Sequence, residues 1–260
     1  MVDDRGPRPD RIAKTAAALI IGDELLKGKV RDENTPFLAE RLFELGVSLG
    51  RVVYVPDEIS DIAKSLNELR TAFDIVFTSG GVGPTHDDLT LEAIASAFNV
   101  DLEESEQFIQ LFEEHYGQCL SAGHLRMARL PQGVELLYEE GSSFPTLRMD
   151  NVFIFPGVPK YFRMKFEAVK KYFEGNPAFL SEKIGIYADE CDIVDLLDDL
   201  VKAFPMLAIG SYPLVARPPC VTITFDSTDA ALIAEAMSFF KSLLSKRNIP
   251  TVKNMLPEEK

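Results

Sequence analysis

Short apolar runs alternate with stretches of helical spacing along the first part of this chain, and that alternation narrows the fold more than any other feature. Residues 16–21, Ala-Ala-Ala-Leu-Ile-Ile, read as a first buried strand, and 51–55 and 73–78 as a second and third. Between them, Leu38, Leu42 and Leu45 share one helical face, and Ile62, Leu66 and Leu69 another. Thr35 reads as the N-cap of the earlier helix, with Pro36 at its first position and Gly46 as its stop. Such alternation predicts a three-layer α/β/α sandwich on a mostly parallel sheet. Ligands of these sheets sit beyond the C-terminal ends of the strands, which is where Gly22, Asp57 and Gly80 fall.

The third strand runs into Gly80-Gly81-Val82-Gly83-Pro84-Thr85-His86-Asp87-Asp88-Leu89-Thr90. A helical pattern opens at Thr90, with Leu91, Ile94, Ala95 and Phe98 on one side. Strand, glycine turn and helix start together aim backbone N–H groups at an anion. The aspartates would repel a bare phosphate, so a divalent cation between carboxylates and phosphate is expected, with Asp87 and Asp88 as its ligands. Read without that context, the glycines are a tight turn, Asp87 caps the next helix and Asp88 is solvated. Glu24, Asp32, Asn34 and Asp57 are the other polar residues near the strand ends. With Glu24 and Asp32, an oxygen-rich site suits Mg, Mn or Co, although each residue also serves as a helix cap or loop residue.

Composition removes several function classes. A net charge of −14 argues against nucleic acid, which needs a basic footprint, and against an anionic membrane surface. No apolar run approaches the roughly 18 residues of a membrane span. Cys119, Cys191 and Cys220 suit neither a disulfide framework nor a zinc site, and the start has no apolar signal core, so a cytoplasmic location is expected. No Walker motif or Gly-x-Ser-x-Gly elbow is present.

Residues 1–13 read as a flexible leader and 14–176 as the α/β domain. Within the latter, 102–129 reads as all-helical with a break at 117–123, while 134–138 and 152–155 complete the sheet. A helix from 159 to 173 comes next, with Tyr161, Phe162 and Phe166 expected in the core. After Gly175-Asn176-Pro177, residues 177–250 read βαββα, a small α+β domain, and 251–260 as a polar tail.

The Gly80–Thr90 stretch resembles the signature of molybdopterin-binding-like domains, with the strongest likeness to CinA-type proteins and to the N-terminal half of eukaryotic FAD synthases. Ile21-Gly22-Asp23-Glu24-Leu25-Leu26-Lys27-Gly28 is similar to that family's opening strand-turn, and Arg31-Asp32-Glu33-Asn34-Thr35 stands where it carries Asp-Thr-Asn. Val55-Pro56-Asp57-Glu58 is similar to an element with a functional acid, and Phe155-Pro156-Gly157-Val158-Pro159 to the closing element. Beyond residue 177, the 184–190 and 210–213 segments are similar to the segment after this domain in FAD synthases.

The resemblance implies a metal-dependent nucleotide pyrophosphatase that cleaves FAD to FMN and AMP, or acts on ADP-ribose-like dinucleotides. Asp88 and Asp57 would be its catalytic acids and Asp87 with Asp88 its metal ligands. Gly22, Glu24, Asn34, Gly80, Gly81, Gly83, Pro84, Thr85, Thr90, Arg129 and Gly157 would face the substrate. Arg126 shares the Arg129 stretch, and His86, His115 and His124 are assigned no role. The alternatives are a non-catalytic pterin- or flavin-nucleotide binding module, serving a separate FAD-synthesising protein, and a molybdenum-cofactor biosynthesis protein. The resemblance also implies a homo-oligomer. Because the sequence stops at Lys260, before any ATP-dependent adenylylating domain, it is not expected to make FAD by itself.

Overall fold

The computed structural model describes residues 14–138, 144–214 and 220–253. The 1–13 leader and the end of the tail lie outside the described residues. The chain divides into two compact units, Met1–Asn176 and Pro177–Lys260.

In chain order, the first unit contains β1 (Thr15–Ile21), α1 (Asp23–Leu26), α2 (Asn34–Glu44), β2 (Ser48–Val55), α3 (Ile59–Ala72), β3 (Ile75–Ser79) and α4 (Thr90–Phe98). It continues with β4 (Leu102–Glu104), α5 (Glu106–Tyr116), α6 (Ala122–Met127), β5 (Arg129–Pro131), β6 (Glu135–Leu137), β7 (Thr146–Met149), β8 (Val152–Phe155) and α7 (Pro159–Val169). Its main sheet has the order β2-β1-β3-β8-β7-β6. The first four strands are parallel, and β7 and β6 extend the sheet antiparallel.

Successive side chains of a strand point to opposite faces, and here both faces are covered. Ala17, Leu19 and Ile21 of β1 join Val76, Val152 and Ile154 in a core with α3, α4 and α5. Ala16, Ala18 and Ile20 join Phe77, Phe153 and Phe155 in a second core with α2 and α7. Phe77 is fully buried and lies 5.4 Å, edge-on, from Phe173 and 5.7 Å, stacked, from Phe153. Each such side chain contributes about 1.5–3 kcal/mol through burial. The expected α/β/α class is the one found.

Several local expectations change. The 102–129 segment is not all-helical, because β4 precedes α5 and pairs with β5, which follows α6. Strand β7 is an addition to the expected elements. Helix α2 begins at Asn34 rather than after a Thr35 cap. Asp32 does the capping, accepting from the amides of Asn34 (2.8 Å) and Thr35 (3.2 Å). Phe162 and Phe166 are core, but Tyr161 is 52% exposed.

The second unit contains β9 (Leu180–Ile186), α8 (Val194–Ala203), β10 (Ala208–Pro213), β11 (Val221–Ser227), α9 (Ala230–Lys246) and β12 (Thr251–Lys253). All its pairings are antiparallel, in the order β10-β11-β9-β12. Ile184, Ile186, Val221, Ile223 and Phe225 form a separate core with α8 and α9. The unit is therefore βαββαβ, and the first residues of the expected polar tail are its edge strand.

Candidate functional site

Strand register brings the separated motifs to one edge. Ile21 stands opposite Val55, Ile20 opposite Ser79, and Ser79 opposite Phe155. The residues just beyond these strand ends, Gly22, Asp57, Gly80 and Gly157, therefore leave the sheet side by side. Backbone bonds fix them there: the Gly22 amide donates to Val55 (3.2 Å) and the Gly80 amide to Phe155 (3.2 Å). Gly80 has φ +107°, and a Cβ on it would meet the Ile21 carbonyl oxygen at 2.2 Å. No side chain fits that approach.

The glycine loop is held from behind. Thr90 is fully buried, its hydroxyl donating to the Gly80 carbonyl (2.8 Å) and its amide to the Gly81 carbonyl (2.9 Å). It shapes the loop and does not face the edge, which corrects its expected substrate contact. Asn34 is also buried, donating through Nδ2 to Ser79 Oγ (2.9 Å) and the Gly157 carbonyl (2.8 Å). It clasps two loops together. The Gly80 amide is spent on the sheet and is not available to a phosphate. The amides of Gly81, Val82 and Gly83 have no intramolecular acceptor among the described residues. Those three donors form the available cradle.

Neither aspartate caps α4, whose start has no side-chain cap. Both instead turn back to Thr85. Its hydroxyl lies 2.5 Å from Asp87 Oδ1 and 2.5 Å from Asp88 Oδ2, and its amide donates to Asp88 Oδ2 (2.8 Å). One hydroxyl hydrogen cannot serve both carboxylates, so negative charge is concentrated where the free amides begin. The Thr85 hydroxyl, then the Asp87 amide, hold the Asp87 carboxyl below the usual carboxylate range, and His86 and Arg126 add to this.

Asp57 moves the other way. Burial raises its pKa, the Asp23 amide (2.9 Å) opposes the rise, and the charges of Glu24, Asp23 and Asp87 push it further up. The β1, β2 and glycine loops thus share one acidic field. A carboxylate raised in this manner is a better proton acceptor at neutral pH. Glu24 folds back over Gly22, its carboxylate 2.6 Å from where a Cβ would stand.

Not every candidate converges. Arg129 is exposed and belongs to β5, opposite Glu104. Arg126, from the same stretch, lies 4.0 Å from Glu92 and its charge reaches Asp87. Asp32 is engaged with α2 and with the Tyr54 hydroxyl (2.7 Å). Among the described residues, no three His, Cys, Asp or Glu side chains are grouped to hold a metal. The oxygen donors of Asp87, Asp88 and Thr85 nevertheless fit a hard cation of the Mg type. Such a cation takes one or two carboxylates from the protein and completes its shell with water and ligand phosphates.

Beside the loop lies a cavity of about 470 Å³ that sequence reasoning missed. Its wall includes Val82, Leu91 and Pro156, the immediate neighbours of Gly81, Thr90 and Gly157. Phe108, Phe112, Tyr116 and Phe144 supply an aromatic side, and α7 contributes Tyr161, Met164 and Lys165. The lining comes from segments far apart in the chain, so no local pattern announces it.

The first unit matches the family described as "Probable molybdopterin binding domain" over residues 17–174, and residues 178–253 match "FAD synthase, middle domain". A "Probable FAD synthase" of Caenorhabditis elegans is 36% identical over 237 residues, covering 80% of this chain and 45% of that protein. A "CinA-like protein" of Myxococcus xanthus is 42% identical over 156 residues, 57% of this chain and 37% of that one. The chain therefore spans less than half the length of these relatives. The crystal structure of the protein CinA of unknown function from Thermoplasma acidophilum superposes with a TM-score of 0.58 at 30% identity, covering 63% of this chain and 99% of that one. With its glycine loop, its parallel strand ends and the match across the whole first unit, the chain belongs to the family of probable molybdopterin-binding domains.

Proposed function

We propose that this chain hydrolyses the pyrophosphate bond of a dinucleotide, with FAD, cleaved to FMN and AMP, its preferred substrate and ADP-ribose-like dinucleotides next. The observation that carries the reading is the Thr85 cluster: two carboxylates directed at one hydroxyl, next to the three free amides of Gly81, Val82 and Gly83. A phosphate finds donors there, and Asp87 and Asp88 would hold a divalent cation (Co, Mn or Mg), which would supply positive charge to polarise the phosphoryl oxygen. The free amides hold the diphosphate and offset charge as it builds up on phosphorus. Asp57, with its raised pKa, takes the proton of the attacking water as the P–O–P bond breaks and AMP leaves. The FAD synthase names among the relatives favour a flavin nucleotide over other dinucleotides.

A second reading, a module that binds a flavin or pterin nucleotide without turnover, is favoured by the lack of a three-acid cluster among the described residues. It would serve a molybdenum-cofactor pathway or a separate FAD-synthesising protein, as a homo-oligomer. Product chromatography separates the two. FAD, ADP-ribose and NAD are offered with Co²⁺, Mn²⁺, Mg²⁺ or EDTA, to the native protein and to folded Asp88→Ala. Metal-dependent AMP release that the variant loses is the expected result. Release that persists in Asp88→Ala overturns the assignment, and binding without release under every metal moves the conclusion to the binding module.

A further inference from the structure

We infer that the cavity beside the glycine loop seats the carbonyl-bearing fused ring of a flavin or pterin, and that Lys165 is the donor that selects it. The inference rests on the proposed function, in which the loop holds the ligand's phosphates.

Cavity and loop are continuous. Val82 lines the cavity with its side chain, and its amide is one of the free donors of the loop. Leu91 and Pro156 extend the wall on either side of that point. A ligand with phosphate on the loop has an apolar space directly behind the same residue. Its volume, about 470 Å³, lies within the range of small-molecule sites.

The wall also has a distinctive chemistry. Phe112 and Phe144 pack with ring centroids 5.5 Å apart and planes tilted by 45°, and His115 meets Phe144 edge-on at 5.4 Å. Aromatic walls favour a flat, polarisable ring over an aliphatic chain. One cation interrupts them. Lys165 Nζ donates to the carbonyls of Phe144 and Pro145, the latter at 2.9 Å. An ammonium has three N–H donors, so one is left without a partner among the described residues. Burial pushes this amine down to about 8. A half-buried cation with an unspent donor in an apolar wall is costly unless a ligand acceptor completes it. Ring carbonyl oxygens, shared by flavins and pterins and absent from adenine, are suitable acceptors.

The test is fluorescence titration of the full chain with riboflavin, FMN and neopterin, and calorimetric titration with AMP. The native protein is compared with Lys165→Met and with Met164→Trp. The latter places bulk at the cavity from a half-exposed helix position, and thermal melts establish that both variants fold. Ring binding is expected to weaken about tenfold or more in Lys165→Met, the loss of one charged hydrogen bond, and further in Met164→Trp. AMP should bind all three alike. Tight neopterin with weak riboflavin would identify the ring as a pterin, and the converse as a flavin. Equal ring affinity in native protein and variants, or no ring binding at all, overturns the inference. The two readings fail separately. Ring binding lost in the variants without FAD turnover sinks the hydrolase and keeps the ring site; turnover with unchanged ring affinity does the reverse.

Discussion

In the first unit β1, β2, β3 and β8 run parallel, so the chain leaves all four at one edge and four loops must meet there. In the second unit every pairing is antiparallel, so strands that lie side by side end at opposite edges. Both sheets bury apolar residues, but among the described residues only the first gathers glycines and acids from distant parts of the sequence. The contrast shows why chemistry is expected in one unit and packing in the other.

The sharpest way to break the contrast is to remove one acid from each unit. Asp88→Ala should cut dinucleotide turnover by roughly a thousandfold, the scale of losing a charge-stabilising group, while leaving the melting of the protein nearly unchanged. Asp229, whose carboxylate accepts from the amides of Ala231 (2.8 Å) and Leu232 (3.2 Å) at the start of α9, should behave in reverse. Asp229→Ala costs about 1 kcal/mol in denaturant unfolding and leaves turnover intact. Turnover lost in the second variant would mean that the second unit takes part in the chemistry.

Glycines offer the next comparison. Gly80→Ala drives a methyl into the backbone oxygen of Ile21 at a positive φ and should destabilise by about 2–4 kcal/mol in thermal or urea unfolding. Gly210→Ala meets only the side chains of Tyr212 and Thr224, which can rotate away, so about 1 kcal/mol is expected.

Smaller effects come from titration. Lys165 falls to about 8, and its neutral amine keeps two donors, both committed to the carbonyls of Phe144 and Pro145. Riboflavin affinity should therefore decline as pH rises through about 8, measured by the same fluorescence titration. His115, Tyr116 and Tyr161 are the other titratable groups on that wall. Lys165→Met should abolish the dependence.

The smallest predicted shift is at Asp57. Its folded pKa is raised from 3.8, so the native state holds the proton more tightly than the unfolded chain. Stability then falls as pH rises from that value through the folded pKa, and the deficit remains at neutral pH. Asp57→Asn should recover a few tenths of a kcal/mol, small because solvent screens the charge, while abolishing turnover. A loss of stability in that variant would show that the Asp23 amide bond outweighs the repulsion.

Much of this fold is legible in the sequence, for identifiable reasons. The inner parallel strands β1, β3 and β8 are short, mostly apolar runs because both faces are buried, as at Ala16 to Ile21, whereas the edge strand β2 carries Arg51. The glycine loop is local in sequence, and Gly80 has no substitute in its conformation. The hidden features depend on distant partners. Leu102–Glu104 is strand only because Arg129–Pro131 lies beside it. Thr90 carries the signature of a helix start, yet nothing local reveals that its hydroxyl is spent on Gly80. Lys165 sits on α7 next to Phe166, and only the fold turns it toward the aromatic wall.

The short last strand, β12, has a practical consequence. Thr251, Val252 and Lys253 lie along Ile186, Gly185 and Ile184 and occupy the free side of β9. A chain cut after Pro250 would bare that strand's amides and carbonyls, and an uncovered strand of this kind recruits other chains. Such a shortened protein should precipitate where the longer one stays dispersed. Three residues of tail thus act as a guard against self-association.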